Sequence, residues 1–297
     1  MARTYNFNSG IEVSIDEYLD WAALNIDEND IESLDASAIM LYRLSLNKSL
    51  FNDILLSPIK KSIGSIQPEN QYTDATFILG SAKKGALVVR GNLWKSPKAR
   101  NGSDTYESIL YSYDIPHDHN FDFLTVGYSG PGYTTDIYNY DRNDIDLVVG
   151  EYVNIEFMET TNLPTGKVML YEKSKDIHTQ RPPVSPSISL NLICSTEDQY
   201  TRQQCFFDVT NNRMSGYAPG PTNSRVQIIK MIAHLEIADS VELLIDVVRK
   251  HSCSRTRAAS IETILSIVPD RLSDLYTICG HENDPLIKSA LTANVVT

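Results

Sequence analysis

The feature that most restricts the fold is a series of short β-rich runs between about residues 72 and 210, each closed by turn chemistry. The runs are Ala75–Leu79, Ala86–Leu93, Ser108–Tyr113, Phe121–Tyr128, Tyr133–Tyr140, Tyr152–Glu159, Lys167–Glu172, Ser187–Ile193 and Cys205–Val209. Between them stand Lys83-Lys84-Gly85, Asn101-Gly102, Gly130-Pro131-Gly132, Arg142-Asn143-Asp144 and Leu163-Pro164-Thr165-Gly166, residues that favour tight turns. Short strands at fairly even spacing predict a sandwich or barrel of antiparallel strands, not alternating β/α units. The expectation is an all-β barrel of the jelly-roll type over residues 66–214.

Helical patterns flank this region. Ser14-Ile15-Asp16-Glu17 has the form of a capping box, and Tyr18, Trp21, Ala22 and Leu24 follow on one helical face. Further helices are predicted over Asp35–Leu46, with Asp35 as N-cap, and over Lys48–Leu56, ending before Pro58. Residues 1–65 are therefore expected to form an N-terminal helical segment. Ser215-Gly216-Tyr217-Ala218-Pro219-Gly220-Pro221 predicts a linker over 215–222. Beyond it the apolar periodicity is helical to the end, so residues 223–297 are expected to form a separate helical domain. Segments beginning at Arg225, Arg255 and Pro285 recur at intervals of thirty residues, each as the first helix of a pair. That pattern resembles HEAT-type repeats and implies an extended surface for a protein partner. The fold class predicted is α+β and multidomain.

Composition narrows the partners. A net charge of −12 and a pI near 4.9 argue against nucleic acid or an anionic membrane surface as partner. No apolar run reaches the roughly 20 residues that span a bilayer. The first residues lack the apolar core of a signal peptide, so a cytoplasmic location is expected. Cys194, Cys205, Cys253 and Cys279 form no CxxC and are expected to be reduced and buried.

The chemistry concentrates in Pro116-His117-Asp118-His119-Asn120-Phe121-Asp122-Phe123. On an extended chain His117 and His119 share a face and Asp118 points away. Two imidazoles on one wall of a barrel are half of a metal site, and His178, in Asp176-Ile177-His178-Thr179-Gln180, is the candidate third ligand. His234, His251 and His281 fall among the helices and read as structural.

His117-x-His119, followed by Pro164-x-Gly166, a strand and His178, resembles the cupin superfamily over roughly residues 106–195. The resemblance implies a barrel that holds a metal. Cupins usually add a glutamate four or five residues after the second histidine, where this chain has Phe123 and Leu124. Asp122 falls one residue short and, by alternation, on the opposite face unless a bulge intervenes, which leaves it as the alternative further ligand. A neutral three-histidine site, His117, His119 and His178, is therefore expected, with Fe(II) favoured among divalent metals.

The Ser187–Ile193 run places Ser187, Ser189 and Asn191 on one face, a polar wall for a barrel interior. In the thiol dioxygenase branch of the cupins, which this stretch resembles, a histidine and a tyrosine stand where this chain has Asn191 and Ile193. Iron and dioxygen chemistry is implied, with cysteine as substrate in doubt. Gln180, Asn191 and Tyr133 are the candidate catalytic groups, and Tyr128 and Tyr138 are further candidates. Ser189 and Arg181 are the candidate cofactor-binding groups, Arg181 being the one basic residue near His178 that could hold 2-oxoglutarate, a cosubstrate not favoured here.

The reading is an iron-dependent oxygenase acting on a small amino-acid-like or carrier-borne substrate. The alternatives are a non-catalytic metal-binding cupin that docks a protein through its helical repeats, and an isomerase or lyase using the same ligands. A homodimer through barrel edges stays open.

Overall fold

The computed structural model describes residues 2–52, 67, 70, 72–96, 110–235 and 239–292. The chain divides into two compact units. One comprises residues 1–140 and 155–197, the other residues 141–154 and 198–297. It is a mixed α and β protein with antiparallel sheets. No helix among the described residues is long and apolar enough to cross a membrane.

The first unit is two antiparallel sheets with helices on one outer face. The larger sheet contains β1 (Arg3–Asn6), β2 (Thr76–Ala82), β3 (Leu87–Trp94), β4 (Asp122–Ser129), β7 (Lys167–Tyr171) and β9 (Ser187–Cys194). Its spatial order is β1-β7-β4-β9-β3-β2. The smaller sheet contains β5 (Thr134–Asn139), β6 (Glu156–Asn162) and β8 (Asp176–Arg181), in the order β6-β5-β8.

Alternation divides the large sheet into two cores. Leu87, Val89, Leu124, Val126, Val168, Leu170, Leu190 and Leu192 form one with the N-terminal helices α1 (Ile15–Asn25), α2 (Ile31–Ala36) and α3 (Ala38–Ser45). Tyr18, Ala22, Leu34, Leu41 and Leu44 are the buried helical partners. Full burial of a leucine-sized side chain contributes about 1.5–3 kcal/mol, so this layer stabilises the sheet that carries the site. The intervening residues Trp94, Phe123, Met169, Tyr171 and Ile193 face the small sheet and share a second core with Tyr133, Ile137 and Leu163.

The capping box on α1 is present, Glu17 N–H donating to Ser14 Oγ (3.2 Å) and Ser14 N–H to Glu17 Oε2 (2.7 Å). The helix expected over 35–46 is instead two, α2 and α3, which meet at Ser37. Asp30 caps α2, its carboxylate accepting Glu32 N–H (3.0 Å). The expected helix at 48–56 lies partly outside the described residues, as does the strand at 108–113. Arg3–Asn6 was expected in a helical segment. It is a strand, because β7 offers Val168–Leu170 a free edge to pair with.

In the second unit β10 (Cys205–Asp208) and β11 (Arg213–Tyr217) form a hairpin. The run at 205–209 was expected in the barrel. It pairs with β11 instead, which takes up residues 215–217 of the predicted linker, and α4 begins at Pro221. The helices are α4 (Pro221–Ile232), α5 (Ser240–Lys250), α6 (Ser254–Ile267), α7 (Leu272–Cys279) and α8 (Pro285–Thr292). α6 packs on α4, α5 and α8, and α5 also packs on α7. Val226, Leu244, Val248, Ile261, Ile264, Leu275 and Ile287 are their shared core.

Two close approaches fold the Leu163–Gly166 turn onto the large sheet. Gly166 N–H donates to Gly127 O (2.8 Å), and Leu163 N–H donates to Tyr133 O (3.1 Å). Gly132 has φ +75°, and a Cβ there would collide with the Leu163 carbonyl. Gly132→Ala should therefore destabilise the protein by about 2–4 kcal/mol, read as a shifted denaturant midpoint at unchanged m-value.

Candidate metal centre

His178 is held in β8, and residues 115–119 run beside it outside any regular strand. His117 N–H donates to His178 O (3.1 Å) and His178 N–H donates to His117 O (2.9 Å), a closed antiparallel pair. Such a pair sets its two side chains on one face. Asp114 N–H to Gln180 O (2.9 Å) and Ser174 N–H to His119 O (2.8 Å) extend the contact on both sides. His119, two residues on from His117, then falls on that same face. Asp118 turns the other way and accepts the Tyr140 hydroxyl at 2.6 Å.

The three Nε2 atoms converge. His119 Nε2 lies 2.9 Å from His178 Nε2, which lies 3.1 Å from His117 Nε2. Among the described residues these three histidines are the cluster with metal-ligand geometry, and no carboxylate or thiol joins them. A metal about 2.0–2.1 Å from imidazole nitrogens at right angles sets those nitrogens about 3 Å apart, close to the spacing seen. His117 Nδ1–H donates to Ile115 O (2.7 Å), which fixes the tautomer and leaves Nε2 with its lone pair. His119 Nδ1 is buried with no partner, so it adds no competing anchor for the ring.

All three imidazoles are held neutral. Burial lowers the His117 pKa, and the Ile115 carbonyl offsets part of that. Burial holds His119 well below the ordinary range, with His178, His117 and the Arg90 cation adding to the effect. Burial also holds His178 well down, reinforced by His117. Neutral imidazole is the form that binds a metal, so the donor set fits a divalent first-row ion.

Aromatic rings wall the histidines. Phe123 lies edge-on to His119 at 4.7 Å between centroids, Phe121 at 4.8 Å, and Tyr171 sits 4.8 Å from His178. Phe123 thus sets an apolar ring, and no carboxylate, beside the histidines. Asp122 faces away, accepting Lys173 N–H at 2.7 Å.

Of the other expected site residues, Gln180 shares the face of His178 and approaches its ring at 3.4 Å, with its Oε1 buried and unpartnered. Ser189 and Asn191 are buried on the inner face of β9. Trp94 Nε1–H donates to Ser189 Oγ (2.9 Å), and Thr125 Oγ1–H donates to Asn191 Oδ1 (2.9 Å). Tyr133 is buried in the same interior, 4.5 Å from the Trp94 ring and within hydrogen-bonding reach of Thr125 and Tyr171.

Three expectations need correction. Arg181 lies on the opposite face of β8 from His178 and makes a two-pronged ion pair with Asp136 (2.8 and 2.8 Å), so it is no anchor for a ligand at the histidines. Tyr128 belongs to the helix-side core, where its hydroxyl donates to Asn47 O. Tyr138 pairs with Ile177, on the other face from His178, and meets Phe157 edge-on at 5.5 Å between centroids.

Arg90 was missed. The pattern Leu87-Val88-Val89-Arg90 places it with Val88 and Trp94 on the inner face, a signal that was available in the alternation of β3.

Two outcomes follow. Protein purified without chelators should carry close to one divalent metal per chain, and His178→Ala should weaken metal binding by more than about 100-fold while the metal-free fold keeps its circular dichroism. In the metal-free protein the histidines stay neutral when folded, whereas the unfolded chain takes up protons below about pH 6.5. Stability should therefore fall as pH drops from 7 to 5.5. Thermal unfolding across that window should show a steep decline that His178→Gln flattens.

No family model matches the chain, and no curated protein matches it. Solved structures do. The chain is similar to a DMSP lyase from the crystal structures of RdDddP and RnDddQII, at 15% identity over 41% of this chain and 47% of that one, with a TM-score of 0.23. Procruciferin, an 11S globulin from Brassica napus, matches at 6% identity over 38% of this chain and 22% of that one, with a TM-score of 0.23. Acireductone dioxygenase from Bacillus anthracis, with a cadmium ion in its active centre, matches at 11% identity over 66% of this chain and 79% of that one, with a TM-score of 0.25. The match spans less than half the length of the first two chains. Likeness at this level assigns neither family nor activity.

Proposed function

We propose that the first unit is a cupin-type metal centre and that the protein is a non-haem oxygenase, with Fe(II) as its metal and a small amino-acid-like molecule as substrate. The observation that carries this reading is the convergence of three neutral, buried imidazole nitrogens with no carboxylate among them. His117, His119 and His178 would hold the ion. Bound iron with three imidazole ligands supplies open coordination positions at which a substrate and dioxygen meet.

The chain's own residues supply the rest. Phe121, Phe123 and Tyr171 exclude water from the side of the cluster they cover. The Ile115 carbonyl fixes the His117 ring, and Gln180 sits against His178 with a free carbonyl oxygen for a substrate donor. The Trp94–Ser189–Asn191–Thr125 hydrogen-bond chain keeps the polar groups of the inner wall in fixed rotamers. Tyr133 and Asn191 are the residues best placed to orient a substrate. With Arg181 committed to Asp136 on the outer face, a reaction without 2-oxoglutarate is favoured.

A second reading, a non-catalytic metal protein that docks a partner through stacked helix pairs, draws support from Ile228 and Met231 on α4 and Leu235 just beyond it, all exposed at helical spacing. Oxygen uptake separates the two. Protein loaded anaerobically with Fe(II) should consume dioxygen with a small amino acid or thiol, equally with and without 2-oxoglutarate, and His119→Ala should abolish the uptake. Stable iron binding without uptake on any such compound would favour the second reading, and uptake that requires 2-oxoglutarate would overturn the cosubstrate assignment.

A further inference from the structure

A line of tyrosine and tryptophan rings starts beside His178 and runs through the inner core of the first unit. Tyr171 lies 4.8 Å from the His178 ring. Its hydroxyl is within hydrogen-bonding reach of Tyr133. The Tyr133 ring lies 4.5 Å from Trp94, and Trp94 lies 6.1 Å from Tyr113. Tyr113 stacks on Tyr111 at 5.2 Å between centroids. All five side chains are buried.

Packing alone does not call for this composition. The opposite face of the same sheet is closed largely by aliphatic side chains such as Leu87, Val89, Leu124, Val168 and Leu190. On the inner face, the rings set against His119 are Phe121 and Phe123, which give up an electron with difficulty. The readily oxidised rings lead away from the histidines instead, each within contact distance of the next. Adjacent aromatic rings at such spacings exchange single electrons readily.

Oxidation of a phenol near neutral pH also releases its proton, so the proton needs a hydrogen bond to move along. Tyr113 Oη–H donates to Lys95 O (2.8 Å), and Trp94 Nε1–H donates to Ser189 Oγ (2.9 Å). Tyr133 has Thr125 and Tyr171 in reach, and Tyr171 has Thr135. Burial raises the pKa of both hydroxyls, so the resting side chains are neutral phenols.

We propose that Tyr171, Tyr133, Trp94, Tyr113 and Tyr111 form a relay that carries a single oxidising equivalent away from His117, His119 and His178 when dioxygen reacts there without substrate. Tyr171 gives up one electron and its proton, and Tyr133 restores both. Trp94, Tyr113 and Tyr111 pass the deficit outward, each phenol recovering its proton as it is reduced. At Tyr111 a soluble enediol of the ascorbate type donates one hydrogen atom. Each cycle therefore moves one electron and one proton inward and oxidises one reductant molecule by one electron. The relay spares the ligand histidines from oxidation. Its purpose rests on the oxygenase reading, and its conduction on the ring geometry alone.

The test has a metal-free arm and an iron-loaded arm, both on the full chain. With Trp21→Phe, Trp94 is the single tryptophan, and an ultraviolet laser flash ejects an electron from its indole. In metal-free protein the tryptophanyl absorption should decay as a tyrosyl absorption grows. Tyr113→Phe and Tyr133→Phe should each slow that growth, and the double variant should slow it about tenfold, a barrier rise of about 1.4 kcal/mol. Protein loaded with Fe(II) and mixed with dioxygen alone should give a tyrosyl signal in electron paramagnetic resonance, which ascorbate quenches. Under the same conditions Tyr113→Phe should accumulate more oxidised histidine at positions 117, 119 and 178 than the wild type, read by mass spectrometry.

Tryptophanyl decay without tyrosyl growth, or growth unchanged in the double variant, would overturn the relay whatever the iron does. Dioxygen uptake with no tyrosyl signal, and histidine oxidation indifferent to Tyr113→Phe, would overturn its role at the histidines. Failure to bind iron or to take up dioxygen would sink the oxygenase reading, and the relay's purpose with it, while the metal-free result stands.

Discussion

Two backbone hydrogen bonds, exchanged between His117 and His178, are the constraint from which the site is built. They lock a segment of no regular strand to the edge of β8 and put two imidazoles on one face. Because side chains alternate, the same lock brings His119 to the cluster and turns Asp118 out of it. A slip of one residue in that pairing would exchange the histidines for Asp118 and Thr179 or Ile177, and the site would vanish. The pairing is stabilised from both sides, by the backbone bonds of Asp114 and Ser174 and by the buried Asp118–Tyr140 contact.

The large sheet gives this arrangement a rigid wall. One face of β4, β7 and β9 is aliphatic and is covered by α1, α2 and α3; the other carries Phe123, Thr125, Tyr171, Ser189 and Asn191. Covering the first face with helices frees the second to carry polar groups, each of which is tied to a neighbour. The N-terminal helices that the structure describes thus serve the site from behind the sheet. Low dielectric around the histidines then does the electrostatic work, keeping all three rings neutral and ready to donate to a cation.

Much of this was legible in the residues. The runs at 121–128, 133–140, 167–172 and 187–193 became β4, β5, β7 and β9 with small boundary shifts, because two-residue alternation between a helix-covered face and an interior face leaves a strong signature. The three histidines could be grouped from the HxH spacing and a later strand. What failed had physical causes. Arg181 was chosen for its closeness in sequence to His178, although adjacent residues on a strand point to opposite faces. Arg90, eighty-eight positions away from His178 in the chain, could be related to the histidines only through the strand order β4-β9-β3, which no local pattern specifies. The hairpin at 205–217 read as barrel because a short strand looks alike whichever sheet or ribbon it joins.

Three imidazoles, with no carboxylate among them, form the donor set for a metal ion inside the first unit. X-ray absorption on protein loaded with a single equivalent of Fe(II) addresses it directly. Three imidazole scatterers at about 2.0–2.2 Å are expected, with the outer-ring scattering that imidazole alone produces, and the remaining positions filled by light oxygen donors. A spectrum that fits without imidazole, or that requires thiolate sulfur in its first shell, would contradict it.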